Sequence, residues 1–170
     1  YDYNPEKAKS LLAEAGYPNG FETPFLAYRN RDYAEAMINN LNAVGIKAKL
    51  EYLKYAAFRD KVQSGGAPFN FGTWGSYSIN DVSAITSHFQ SGGKDDYSKD
   101  PEVIKQLGIG DTSVDAGVRK AAYKAALSRI SGEAFMFPLW SYNTWYAFSK
   151  DVDFNPTPDE IPRFFTAKWK

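Results

Sequence analysis

Cysteine is absent from the 170 residues, so the chain can hold no disulfide, thiol nucleophile or thiolate metal site. Histidine occurs once, at His88, which rules out a two-histidine metal site and leaves one imidazole for any Ser-His-Asp arrangement. Neither sign of charge dominates. Twenty basic residues balance 20 acidic ones, which argues against a nucleic-acid partner, because phosphates select a basic surface. No apolar run reaches the roughly 18 residues of a membrane-spanning helix, so direct insertion of this segment into a bilayer is not expected. Phosphate-binding glycine loops, an HExxH pair, an EF-hand loop and an N-glycosylation sequon are missing too. No cofactor is expected from what remains.

What is present is a globular composition, 44% hydrophobic and 24% charged, of a size for one domain or one domain plus part of another. The aromatic share is 16%, enough to supply ring-lined surfaces as well as a core. The chain starts at Tyr1 without an initiator Met, as a mature protein or a fragment would.

Hydrophobic periodicity divides the chain into alternating elements. Asn4 as cap, Pro5 at the first position and Gly16 at the end bracket a helix with Ala8, Leu11, Leu12 and Ala15 on one face. Residues 22–28 read as a strand. Asp32 is expected to cap a helix that turns Tyr33, Met37, Leu41 and Val44 to one side before Gly45 stops it. Residues 46–52 alternate apolar and charged throughout, as a strand with one wet face does. A helix over 55–64, with Phe58 and Val62 inward, leads to a third strand over 69–74. Short connections between alternating helices and strands predict a parallel sheet, an α/β fold with a βαβαβ core. Further on, Asp81 would cap a short helix with Val82, Ile85 and Phe89, and Asp100-Pro101 would open another that ends before Gly108. A long helix is expected over 115–131 with Tyr123, Leu127 and Ile130 on one face, then strands over 135–140 and 143–148. Leu50 and Leu127 are expected in the core. The tail carries Pro156, Pro158 and Pro162 and is expected to be irregular, with Phe154, Phe164, Phe165 and Trp169 exposed.

In an open α/β sheet, ligands bind beyond the carboxyl ends of the strands. Two loops fall there. Tyr28-Arg29-Asn30-Arg31 contributes Tyr28 and Arg29. The loop from Trp74 to Asp81 contributes Trp74, Gly75, Ser76, Tyr77, Ser78, Asn80 and Asp81. Rings supply contact area and the polar groups supply direction, a mixture suited to a polar organic solute. His88 lies within a short amphipathic helix and reads as a satisfied or solvent-facing side chain rather than a ligand. Asp95 and Asp96, adjacent in a Gly-rich turn, read as solvated carboxylates rather than an acid–base pair.

The opening run from Tyr3 through Asn4-Pro5-Glu6-Lys7-Ala8 and Leu11-Leu12-Ala13-Glu14-Ala15-Gly16-Tyr17-Pro18 to Phe21 resembles the family 5 extracellular solute-binding proteins. These are the dipeptide, oligopeptide and nickel receptors of ABC importers. The likeness continues through Leu41 to Ile46, Phe69 to Gly75 and Phe135 to Trp140, and closes at Trp169-Lys170. The resemblance implies a two-lobed periplasmic-binding-protein fold of type II. Residues 1–148 would be most of the C-terminal α/β lobe, and 149–170 a crossover tail belonging to the other lobe. It implies a non-enzymatic, periplasmic or extracytoplasmic receptor with two kinds of partner. One is a small solute, whether peptide, opine-like or sugar; the other is the transmembrane subunits of a permease. Trp140 joins the ligand-binding candidates on the same ground. In one respect the sequence departs from the family. Peptide-binding members carry an acidic residue shortly after this Trp-Gly to meet the peptide's amine. Here Ser76 and Tyr77 stand around that place, and no carboxylate follows until Asp81. This departure implies a neutral, hydroxyl-rich or amine-blocked solute. A carbohydrate-binding module, or a lobe of a carbohydrate-active enzyme, is the alternative reading.

Overall fold

The computed structural model describes residues 1–75, 79–157 and 161–170. The chain forms two compact units, Tyr1–Thr73 and Trp74–Lys170.

The first unit opens with α1 (Pro5–Glu14), whose cap is Asn4: its Oδ1 accepts the Lys7 amide at 2.9 Å. Its sheet has three strands, β1 (Phe21–Ala27), β2 (Ile46–Tyr52) and β3 (Asn70–Phe71), in the order β2-β1-β3. Both pairings are parallel, as expected, and Phe21 faces Ile46 at the start of the longer ladder. Parallel strands need crossovers, supplied by α2 (Arg31–Ala43) and α3 (Tyr55–Gln63). The central strand is buried on both faces, and its period of two sorts the core into two layers. Phe25 and Ala27 point to one side, where Ala34 and Ile38 of α2, Ala48 and Phe71 close around them. Leu26 points to the other, against Phe58 and Val62 of α3 and Ala67. Leu50 is partly buried against the first layer. β2 keeps its charged alternates in water, where Lys49 Nζ meets Glu22 Oε2 of β1 at 2.6 Å. Gly20 and Gly45 bring the two strand starts together: a Cβ on Gly20 would lie 1.8 Å from the Gly45 carbonyl oxygen, and Gly20 has φ +73°.

Three expectations for this unit are corrected. α2 starts two residues earlier, with Asn30 in the left-handed conformation at its N-cap (φ 52°). The Asn30 carbonyl accepts from the Tyr33 and Ala34 amides, and Asp32 sits in the first turn. There its charge still favours the helix N-terminus. The buried face of α2 is built on Ala34 and Ile38, with Met37 and Leu41 flanking and Tyr33 exposed. The third strand is two residues, not six, because only Leu26 and Ala27 of β1 register with it.

The second unit is helical at its centre. α4 (Ser83–Phe89) precedes α5 (Pro101–Thr112) and α6 (Ala116–Gly132). Asp100 caps α5 by accepting from the Glu102 and Val103 amides, and Asp115 caps α6 through the Val118 amide. Val103 and Leu107 of α5 pack on Tyr123, Ala126 and Ile130 of α6. α5 does not stop before Gly108. It continues through Gly110, whose bare Cα lets the Tyr123 ring lie against the helix. Leu127 is not in the core: it is 42% exposed, and Ala126 takes the inward position beside it. The expected strands over 135–140 and 143–148 belong to no ladder. A strand exists only against a partner, and among the described residues none pairs with these segments. The tail is largely irregular, as expected. It holds a two-residue antiparallel pairing of β4 (Val152–Asp153) with β5 (Lys168–Trp169) and a short 3-10 turn (Phe164–Thr166). Phe164, Phe165 and Trp169 are exposed, whereas Phe154 is partly covered by Tyr146, Phe148 and Phe164. Asp96 is also corrected. It is fully buried, and its carboxylate accepts from the Gly92 amide at 2.9 Å, the Ser98 hydroxyl at 2.7 Å and the Lys99 amide at 3.0 Å.

Candidate functional site

Each of the two candidate loops is anchored within its own unit. In the first, Tyr28 follows β1, half-buried on the Leu26 side, with its ring 4.8 Å from Phe58 and 5.0 Å from Tyr55. Its hydroxyl is 2.9 Å from Thr73 Oγ1, beyond the end of β3. Arg29 Nη1 donates to the same oxygen at 3.1 Å, and its guanidinium lies 6.0 Å from the centre of the Tyr28 ring. One threonine hydroxyl thus gathers a phenol and a cation at the carboxyl ends of neighbouring strands. The Arg29 side chain remains on the surface. Beside it, Arg31 lies over the Tyr52 ring at 5.7 Å and pairs with Glu35, so the second arginine is already occupied.

In the second unit, Trp74 is 39% exposed but firmly held. Its Nε1 donates to the Ala84 carbonyl at 3.2 Å, the His88 ring stacks on it at 4.2 Å, and Phe89 meets it edge-on at 5.2 Å. Gly75 is partly buried and Asn80 exposed. Ser76, Tyr77 and Ser78 lie outside the described residues. Asp81 accepts from the Ser83 amide at 2.9 Å and from Arg119 Nη2. These contacts, the Ser83 amide first, hold its carboxyl below the usual carboxylate range. Arg119 also donates to the Gly110 carbonyl at 2.7 Å and lies over the Tyr123 ring at 5.1 Å, which ties the base of the loop to both long helices. Trp140, half-exposed, meets Tyr142 edge-on at 6.3 Å.

Sequence reasoning missed His88 and Asp95 as parts of this arrangement. His88 Nε2 is buried and faces Asp95 Oδ2 at 3.4 Å. The signal available was the ring pair His88-Phe89 at the end of the short helix that follows the Trp74 loop. Among the described residues, no group of three His, Cys, Asp or Glu side chains is arranged to hold a metal ion.

Comparison with known proteins bears on this geometry. The family described as bacterial extracellular solute-binding proteins, family 5, middle region, matches residues 1–96. Heme-binding protein A of Haemophilus influenzae is 40% identical over 73 residues, which is 38% of this chain and 13% of that protein. Among solved structures, the periplasmic binding protein AgaA of A. tumefaciens R10, in complex with agropinic acid, is 32% identical with a TM-score of 0.65. The match covers 75% of this chain and 28% of AgaA. HbpA2 from Haemophilus parasuis is 26% identical with a TM-score of 0.77, over 100% of this chain and 36% of that one. The chain therefore spans about a third or less of the proteins it resembles.

Proposed function

We propose that this chain, which belongs to the bacterial extracellular solute-binding proteins of family 5, is part of the substrate-binding component of an ABC importer. Residues 1–148 are most of one α/β lobe, and 149–170 are a crossover tail that packs on the other lobe. In the full-length protein, a small polar solute is enclosed between the two lobes outside the cytoplasm. Solute contacts made only in the closed state favour that state, and the closed receptor docks on the permease. Family membership displaces the carbohydrate-active alternative. Tyr28, Arg29, Trp74, Gly75, Ser76, Tyr77, Ser78, Asn80, Asp81 and Trp140 are the proposed solute contacts.

One observation carries the choice of solute class. The first carboxylate to follow the Trp-Gly pair in sequence, Asp81, is committed to Arg119 and the Ser83 amide. A free peptide amine entering the closed cleft sheds its water, and an ammonium without a counter-charge is costly to bury. Withdrawing Asp81 to meet it would strand Arg119 instead. Ser76, Ser78 and Asn80 can donate and accept as a solute's hydroxyls require, and the Trp74, Tyr77 and Tyr28 rings offer apolar faces. Arg29, braced on Thr73, has further N–H groups to offer a solute carboxylate. The favoured solute is thus hydroxyl-rich or amine-blocked, with an opine-like conjugate fitting both descriptions. The likeness to a receptor solved with agropinic acid supports that reading.

Calorimetry on the full-length protein tests it. An opine-like conjugate such as agropinic acid should bind, and a free tripeptide should bind more weakly than its N-acetylated form. Micromolar binding of the free tripeptide, lost on acetylation, would overturn the assignment.

A further inference from the structure

His88 is the single histidine of the chain. It sits in the last turn of α4, where a positive charge is favoured by the helix carbonyls. Its ring is stacked on Trp74 with centroids 4.2 Å apart and planes 21° apart, while Phe89 meets its edge at 4.6 Å. Nε2 is buried, and no described group meets it in hydrogen-bonding geometry. Yet the atom is not remote from charge. Asp95 Oδ2 stands 3.4 Å away on a side chain only 8% exposed. The next carboxylate, Asp96, is turned into its own loop, onto the Gly92 and Lys99 amides and the Ser98 hydroxyl. Trp74 and Phe89 present rings, so among the described residues Asp95 is the charged group placed against the imidazole.

A buried ring nitrogen beside a carboxylate is poorly served as a bare acceptor, since both atoms are lone-pair bearers. With a proton on Nε2 it becomes a donor aimed at Asp95, and a fully protonated ring becomes a cation held between that carboxylate and the indole face. Histidine is also the side chain whose charge ordinarily changes between pH 5 and 8.

We infer that His88 is a positioning residue that, backed by Asp95, clamps the Trp74 indole at the head of the solute-binding loop, and clamps it more firmly as a cation. The solute-facing importance of Trp74 rests on the function proposed above; the clamp itself does not. The uncharged form leaves the stack and the Trp74 Nε1 bond to Ala84. The charged form adds the ion pair and the cation–ring attraction, so the indole is better fixed on the acid side of neutrality.

The test uses the chain with Trp140, Trp145 and Trp169 replaced by Phe, so that Trp74 is the sole indole. Its emission is followed from pH 5 to 8.5. A stacked imidazolium quenches indole fluorescence, so emission is expected to fall on acidification along a one-proton curve. His88→Phe keeps a ring on the indole but carries no proton and should lose the curve. Asp95→Asn should weaken the acid-side quenching, because the cation loses the carboxylate that holds it against the indole. Circular dichroism confirms that each variant is folded, and His88→Gln replaces His88→Phe if the latter is not. A flat profile in the starting protein, an unchanged curve without His88, or quenching of the same depth without the Asp95 carboxylate would each overturn the inference. None of these readings depends on which solute binds, whereas the calorimetry above does not depend on the clamp.

Discussion

Two glycines in one turn of α5 should respond to alanine with opposite signs. In a helix interior, Gly→Ala normally gains about 0.5–1 kcal/mol, because alanine has less backbone freedom to lose. At Gly108 nothing lies within 4 Å of the added carbon, so the gain should appear in full. At Gly110 the new Cβ would lie 2.6 Å from Tyr123 Cε1 and 2.9 Å from Cδ1 and Cζ. Contact carbons settle near ~3.5–4 Å, so either the ring or the helix must shift by roughly an ångström. The ring is poorly placed to yield. It is buried between the two long helices, its hydroxyl donates to Asp111 Oδ1 at 2.7 Å, and the Arg119 guanidinium covers it at 5.1 Å. Overpacking of this kind costs about 1–3 kcal/mol, which outweighs the propensity gain and leaves a net loss of about 1–2 kcal/mol. With a urea m-value of about 1–3 kcal/mol/M, the Gly110→Ala midpoint should fall by roughly 0.5–1 M and that of Gly108→Ala should rise by a few tenths. Urea unfolding followed by circular dichroism and tryptophan emission reads both. In a Tyr123→Leu background the clash is gone, and Gly110→Ala should become neutral or stabilising. Midpoints moving in the same direction for both glycines, or a Gly110→Ala penalty that survives Tyr123→Leu, would refute the packing argument.

Leu107→Ala should cost about 2–5 kcal/mol, because Leu107 is buried between α5 and α6, whereas Leu127→Ala should stay within about 0.5 kcal/mol; equal midpoint shifts in denaturant would place the core wrongly. Asp100 accepts from Arg129 Nε at 2.8 Å and Nη2 at 2.6 Å, and this pairing, with the amides it caps, pulls its carboxyl from 3.8 to about 2. Its contribution to stability is therefore complete above about pH 5 and lost progressively as pH falls towards about 2. Asp100→Asn should flatten the pH dependence of unfolding in that window, and an unchanged slope would disprove the linkage. Burial, then the Asp111 carboxylate, pushes the Tyr123 phenol up to about 12. Absorbance at alkaline pH should show one late-ionising tyrosine that Tyr123→Phe removes, provided the fold survives to that pH.

Features that depend on neighbours in sequence were legible without coordinates. Asn4 followed by Pro5 marks a helix start because cap and ring act within one turn. The alternation of 46–52 marks a strand because its side chains alternate between core and water. Phe58 and Val62 sit one helical turn apart, and α3 buries both. The candidate loops were legible for the same reason: they are the polar, ring-rich stretches that follow predicted strands.

Other features depend on residues far apart in sequence, and only the tertiary structure decided them. The face of α2 is built on Ala34 and Ile38 because small side chains fit beneath β1, and a count of hydrophobic residues favours Tyr33 over alanine. Gly108 and Gly110 look like a helix stop until the Tyr123 ring, supplied by α6, takes up the space that Gly110 leaves. The stretches 135–140 and 143–148 have strand composition but no ladder, since a strand needs a partner's hydrogen bonds as well as its own propensity. In the sequence Asp96 looks like a surface charge because its three donors come from a loop whose path the sequence does not reveal. His88 read as an ordinary surface histidine until folding set Trp74 on its face and Asp95 against its Nε2, since stacking and ion pairing are set by distances in space rather than along the chain.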